Sequence, residues 1–147
     1  RQRRARAGRA HDAPARVRAV GHAPVIRIVA YGAPAPQGSK KFLGLTKSGR
    51  GILAESSRKV KPWRQIVHAA ALAARNGAPP LDGPLIARMV FTVPKPASAP
   101  KTRRTWPCRM PDLSKLVRST EDALTDAGVW ADDARVVEYE RLAKVYP

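Results

Sequence analysis

The chain has 147 residues, enough for one domain with its own core. Its 28 Lys and Arg against 11 Asp and Glu give a formal net charge of +17, so polyanions are the natural partners, because each neutralised phosphate releases counterions, and nucleic acid is expected before an acidic protein or a membrane surface. A single cysteine, Cys108, excludes an internal disulfide and a Cys-rich zinc site, while no apolar run approaches the ~20 residues of a membrane helix and no secretory h-region is present, which makes the cytoplasm the expected location.

Residues 1–24 are rich in Arg and Ala, with little apolar periodicity. They read either as a disordered basic arm that adds phosphate contacts or as upstream sequence that never folds. Residues 1–18 hold seven Arg and one Asp, which leaves 21 basic and 10 acidic residues elsewhere. The body of the chain is therefore cationic in its own right, and the folded domain is expected over residues 25–147. Val25 to Tyr31 (VIRIVAY) is β-branched and reads as a strand, which Pro and Gly break over residues 32–38. Ser39-Lys40-Lys41 and the stretch from Thr46 to Arg50 then form a polar basic loop. It is either a solvated hairpin or flap, or a DNA-contacting loop offering charge and backbone N–H groups to phosphate.

A helix is expected from a Ser56 or Ser57 cap to about Asn76, with Pro62 confined to its first turn. Trp63, Ile66, Val67, Ala70 and Ala74 recur at helical spacing and define its buried face. Asn76-Gly77 stops it and Pro79-Pro80 prevents resumption. His68, beside the stripe, reads as a packed or surface histidine. Leu85 to Val93 reads as a second strand with Leu85, Ala87, Met89, Phe91 and Val93 on one face. From Pro94 to Pro111 the chain is Pro-rich and basic, with Lys95, Lys101, Arg103, Arg104 and Arg109. Loops this long in a compact domain are usually functional or disordered. Within it Cys108 reads as an incidental thiol. Trp106 either stacks on a base or anchors the loop, anchoring being the preferred reading.

Asp112 to Ala127 is the clearest helix. Leu113, Leu116, Val117, Thr120 and Leu124 form its stripe, Asp112 is placed as N-cap, and Gly128 ends it. Arg118 and Asp122, four apart, are expected to pair on the exposed face. Trp130-Ala131-Asp132-Asp133 leads into a last strand, Val136 to Val145. The order strand, helix, strand, helix, strand predicts an α+β fold, a small mixed sheet with two main helices packed on it.

Carboxylates on a DNA-binding face repel phosphate unless a divalent cation bridges the two. Mg²⁺ takes oxygen ligands and is typically held by one or two carboxylates plus the phosphate. There it activates water and stabilises the charge of phosphodiester cleavage. Asp112, Asp132 and Asp133 are the candidate metal ligands. Each also has a plain structural reading, as a helix cap or as an Asp pair in a turn.

The segment Pro111-Asp112-Leu113-Ser114-Lys115-Leu116-Val117-Arg118 resembles the signature of RusA-type Holliday junction resolvases, an acidic pattern opening a helix. Asp122-Ala123-Leu124-Thr125 and the run from Gly128 to Val137 continue the likeness in order and spacing. Pro36-Gln37-Gly38-Ser39-Lys40 and Lys61-Pro62-Trp63 resemble segments of phage-type members. The resemblance covers about residues 25–147. It implies a RusA-like fold and a small homodimeric, Mg²⁺-dependent endodeoxyribonuclease that cuts four-way junctions in recombination and repair. A phage or prophage setting in a bacterial cytoplasm goes with it, and related proteins often continue past Pro147, which leaves either a missing edge strand or a short natural end.

Carried over, Asp112 and Asp133 resemble metal-binding catalytic aspartates, and Asp132 accompanies them. Arg118 stands where a basic residue important for cleavage, usually Lys, is found; Arg keeps the charge but not the compact ammonium. DNA contacts are expected from Gln37, Ser39, Lys40, Lys41, Lys101, Arg103, Arg104 and Lys115. Ser114 stands where many members carry a catalytic Asp. Either the remaining aspartates suffice, or another acid substitutes, or the protein binds DNA without cutting it. Glu121 is a poor substitute within one subunit, since it lies two turns along the helix, roughly 10 Å away. A straight helix also separates Asp112 from the chain following Ala127 by roughly 23 Å. The site is therefore expected to be completed across a two-fold interface that sets the helices antiparallel. A small basic RNA-binding protein would explain the charge but not the ordered motif.

Overall fold

The structure, a computed structural model, describes residues 25–38, 40–55 and 58–147. The basic arm at 1–24, Ser39 and the Ser56 or Ser57 cap lie outside the described residues.

The first described segment differs from expectation. Val25 to Tyr31 joins no ladder among the described residues, although it is extended and its burial alternates. Ile26, Ile28 and Ala30 rest on the core, whereas Val25 and Tyr31 are almost fully exposed. The period of two is real, but it reflects one apolar face laid on the core rather than strand pairing.

The basic loop is a hairpin. Strand β1 (Lys40–Leu45) pairs antiparallel with β2 (Gly51–Glu55), with a register shift between Phe42 and Gly44. Phe42, Leu43 and Leu45 are exposed, so the hairpin stands off the core as a flap. Its turn is closed by Thr46, whose amide donates to the Arg50 carbonyl at 2.7 Å and whose hydroxyl accepts the Arg50 amide at 3.0 Å.

Helix α1 (Val60–Arg75) starts at an N-cap Lys59 and ends at Asn76 in the left-handed conformation, φ 46° and ψ 46°. Its buried residues are Val60, Trp63, Val67 and Ala71. Ala74 is exposed and Ala70 only half-buried, so the stripe turns toward Ala71 in the last two turns. Strand β3 (Leu85–Thr92) buries Met89 and Phe91 and partly buries Leu85 and Ala87, followed by buried Val93, as its alternation requires. Helix α2 (Leu113–Asp126) carries the chain to a 3₁₀ turn at Asp133–Arg135 and then to β4 (Val136–Val145), which pairs parallel with β3.

The class is α+β, as expected. The sheet is divided in two, however: β1–β2 antiparallel and β3–β4 parallel, rather than one mixed sheet. The core joins α1, α2 and β3 around Trp63, Val67, Phe91, Leu116 and Leu124. One buried polar link locks the helices. The Trp63 indole Nε1 donates to Thr120 Oγ1 at 3.1 Å, and that hydroxyl donates to the Leu116 carbonyl at 2.8 Å. No helix among the described residues is long and apolar enough to cross a membrane.

Candidate metal and nucleic-acid site

Helix α2 positions the acidic residues, one at its start and two just past its end. Asp112 occupies the N-cap position in an extended conformation, yet its side chain makes no cap hydrogen bond. The carboxylate instead lies 3.0 Å from the Lys115 ammonium one turn along. This end of α2 is tied down from three sides. The Gln37 amide donates to the Lys115 carbonyl at 3.0 Å, Ser119 Oγ donates to the Ala35 carbonyl at 2.7 Å, and Lys144 Nζ donates to the Arg109 and Pro111 carbonyls, both at 2.7 Å.

The other end is held as firmly. Gly128 takes φ +66°, and a Cβ there would sit 2.6 Å from Arg75 Nη1, which donates to the Gly128 carbonyl at 2.9 Å. Only glycine serves at that position. The following residues are strapped to Leu81: its amide donates to the Val129 carbonyl at 2.9 Å and its carbonyl accepts the Ala131 amide at 3.0 Å. Buried Trp130 donates from Nε1 to Thr125 Oγ1 at 2.7 Å. Asp132 then caps the 3₁₀ turn, its Oδ1 accepting the Ala134 amide at 2.8 Å, and Arg135 pairs with Asp82 at 2.8 Å. The result is an exposed Asp132-Asp133 pair on a braced turn.

Asp112 therefore stands at the start of a 14-residue helix, about 21 Å long by helical rise, and the Asp132-Asp133 pair lies beyond its other end. Among the described residues no three His, Cys, Asp or Glu side chains are grouped closely enough to hold a metal ion. The donor chemistry nevertheless suits a hard divalent cation: carboxylate oxygens, exposed, on a cationic surface.

The rest of the acidic chemistry lies toward Asp133. Tyr139 on β4 donates its hydroxyl hydrogen bond to Glu121 on α2. Burial pushes the Glu121 carboxyl above its ordinary pKa; the Tyr139 hydrogen bond opposes this, and the charges of Asp133 and Asp122 add to it. Burial, the Glu121 hydrogen bond and nearby negative charge likewise raise the Tyr139 phenol. Glu121 thus senses Asp133 rather than filling in at Ser114, which is exposed at the opposite end of the helix. Arg118 is exposed and makes no ion pair with Asp122; Asp122 pairs instead with Arg64 across the helix–helix contact.

The residues expected to touch DNA separate into three groups. Gln37 is half-buried and serves structurally through its backbone, with its Oε1 buried and unpartnered among the described residues. Lys40 and Lys41 take part in the backbone pairing of the flap, opposite Glu55 and Ala54. Lys101, Arg103 and Arg104 are exposed on the 94–111 loop, and Lys115 is partly neutralised by Asp112. Trp106 does not anchor that loop: it is 58% exposed, with the Arg104 guanidinium 4.3 Å from its ring centroid, and buried Pro107 takes the anchoring position.

Sequence reasoning missed one cationic feature. Arg58, Lys61, Arg64 and His68 line an open groove of ≈ 710 Å³ along α1, with Asp126 on its far side. The signal was present: Lys61, Arg64 and His68 follow helical spacing beside the buried stripe.

A family model described as Endodeoxyribonuclease RusA matches residues 32–146, most of the chain and all of the geometry above except its first described segment. Among curated proteins nothing matches the sequence.

Proposed function

Because this chain belongs to the RusA endodeoxyribonuclease family, we propose that it is a divalent-metal-dependent nuclease, with Mg²⁺ the cation, that resolves four-way DNA junctions as a homodimer. The observation that carries the reading is the placement of the family's acidic motif. Asp112 and the Asp132-Asp133 pair sit at the two braced ends of α2, on a chain whose surface is otherwise strongly cationic.

Asp112, Asp132 and Asp133 would hold the cation, which would supply charge neutralisation at the scissile phosphate and a water of lowered pKa. The chain's own residues do the rest. Arg118, exposed two turns from Asp112, offers an always-charged donor to a phosphate oxygen. Lys101, Arg103 and Arg104 grip the backbone from the long loop, and the flap carries Lys40 and Lys41. Since no three carboxylates of one chain are grouped to hold a metal among the described residues, a complete site is built from Asp112 of one subunit and Asp133 of its partner. A two-fold axis between antiparallel α2 helices repeats the site, which suits a symmetric junction.

A second reading has its own support. Ser114 is exposed where many family members carry a catalytic Asp, and Lys115 already neutralises Asp112. Both weaken a metal site, and a protein that grips junctions without cutting them would show both.

Incubation with a mobile four-way junction and with linear duplex, each with and without Mg²⁺, separates the two. Paired symmetric nicks that disappear in Asp112→Asn and Asp133→Asn establish the enzyme. Junction binding with no nick under any metal establishes the non-cutting reading, and equal affinity for junction, duplex and RNA removes both.

A further inference from the structure

Two of the three tryptophans in the chain are accounted for by the core: Trp63 is 5% exposed and Trp130 6% exposed. Trp106 is 58% exposed at the middle of a cationic loop. Large aromatic rings bury readily, and a solvent-facing indole on a folded surface forfeits that burial. Its surroundings are equally specific. The Arg104 guanidinium covers one side of the ring at 4.3 Å from the centroid. Beside the pair lies a small cavity of ≈ 230 Å³, lined by Lys95, Arg104, Thr105, Trp106 and Tyr146 among others. It falls below the roughly 300–1,000 Å³ of pockets for drug-sized ligands, and so fits one planar ring better than a whole cofactor. Thr105 lines this cavity, and its Oγ1 is buried without a hydrogen-bond partner among the described residues.

We propose that Trp106 and Arg104 form a stacking platform for a single unpaired DNA base, with Lys95 and Arg104 receiving its flanking phosphates. Aromatic rings with adjacent cations are how proteins hold single strands: every base offers a π-face, and the cations track the backbone. Arg104 serves both needs, since it is drawn to the indole by cation–π attraction and is itself exposed. A branch whose pairs part at its centre presents such bases, whereas an intact duplex keeps them paired and stacked. The platform gives the protein a means of recognising the branch separate from the acidic residues. It rests on the nuclease reading only in taking DNA as the ligand.

The three tryptophans make the test direct. In Mg²⁺-free buffer, wild-type protein is titrated with an oligothymidylate of about eight nucleotides, within the range of single-strand site sizes, with an abasic strand of equal length, and with oligouridylate. The base-bearing DNA strand is expected to quench the exposed-tryptophan emission while Trp63 and Trp130 continue to emit, and the abasic strand is expected to leave the emission unchanged. Trp106→Ala should weaken oligothymidylate binding about tenfold, equivalent to about 1.4 kcal/mol, without changing abasic-strand affinity. The emission of Trp63 and Trp130 verifies that this variant is folded. Equal quenching by the abasic strand, unchanged oligothymidylate affinity in Trp106→Ala, or tighter binding of oligouridylate overturns the proposal. Junction cutting by the wild type with Mg²⁺ is read in parallel. Absence of cutting alongside base-dependent quenching removes the nuclease and keeps the platform, while cutting without base-dependent quenching does the reverse.

Discussion

The most informative perturbation is to mix two inactive subunits. Helix α2 spans 14 residues, about 21 Å by helical rise, with Asp112 at its start and the turn that carries Asp133 beyond its end. Mg²⁺ ligands sit ~2.1 Å from the ion, and no three acidic side chains of one subunit are grouped closely enough for that among the described residues. If each site takes Asp112 from one subunit and Asp133 from the other, Asp112→Asn and Asp133→Asn homodimers have no intact site. In a mixed dimer both substitutions fall on the same site, and the second site is whole. Random exchange makes about half of the dimers mixed, so about a quarter of wild-type sites return in a two-fold assembly. The two variants are co-refolded and assayed on a four-way junction with Mg²⁺, scoring single nicks separately from paired cuts. Single nicks should recover toward that quarter, while paired cuts stay absent, because each mixed dimer holds only one working site. If subunit exchange is confirmed with differently tagged chains and no nicks return, the trans arrangement is refuted.

Three further outcomes follow from the packing and charge. Thr120→Val removes the acceptor of the buried Trp63 indole N–H, and it should lower unfolding free energy by about 1–3 kcal/mol in a denaturant titration. Glu121 has a raised carboxyl pKa, mainly from burial. The folded state therefore binds its proton more tightly than the unfolded chain, and stability falls as pH rises from the ordinary value of 4.5 through the raised one. Glu121→Gln removes that loss, so its melting temperature should exceed wild type at neutral pH and the difference should close below pH 4.5, measured without metal. On the proposed role of Arg118, Arg118→Ala should reduce junction cutting by about tenfold or more while binding falls less, because a contact made in the transition state acts on the chemical step; equal losses would make Arg118 a phosphate-positioning residue.

Particular elements show where sequence information stops. The strand Val136–Val145 and the body of α2 were legible to within a residue, α2 because a 3.6-residue stripe is a property of neighbouring positions. Val25 to Tyr31 carried the β-branched signal of a strand, yet it joins no ladder among the described residues. Pairing needs a partner with a free edge, and no local pattern encodes one. Asp122 was assigned to Arg118 by spacing, but Arg64 reached it from another helix. Glu121 was measured against Ser114 along the helix, while its actual neighbours are Tyr139 and the charge of Asp133.

The sequence by itself determined the cationic surface, the two helices, the acidic motif and its order, since these follow from composition, short-range periodicity and residue type. Only the tertiary structure decided that Asp112 and Asp133 are held apart by a braced helix, that Trp106 faces solvent beneath Arg104, and that Arg58, Lys61, Arg64 and His68 share a groove. Each of these is a relation between residues brought together, or kept apart, by packing elsewhere in the chain, and free energy of that kind is set by long-range contact rather than by sequence neighbours.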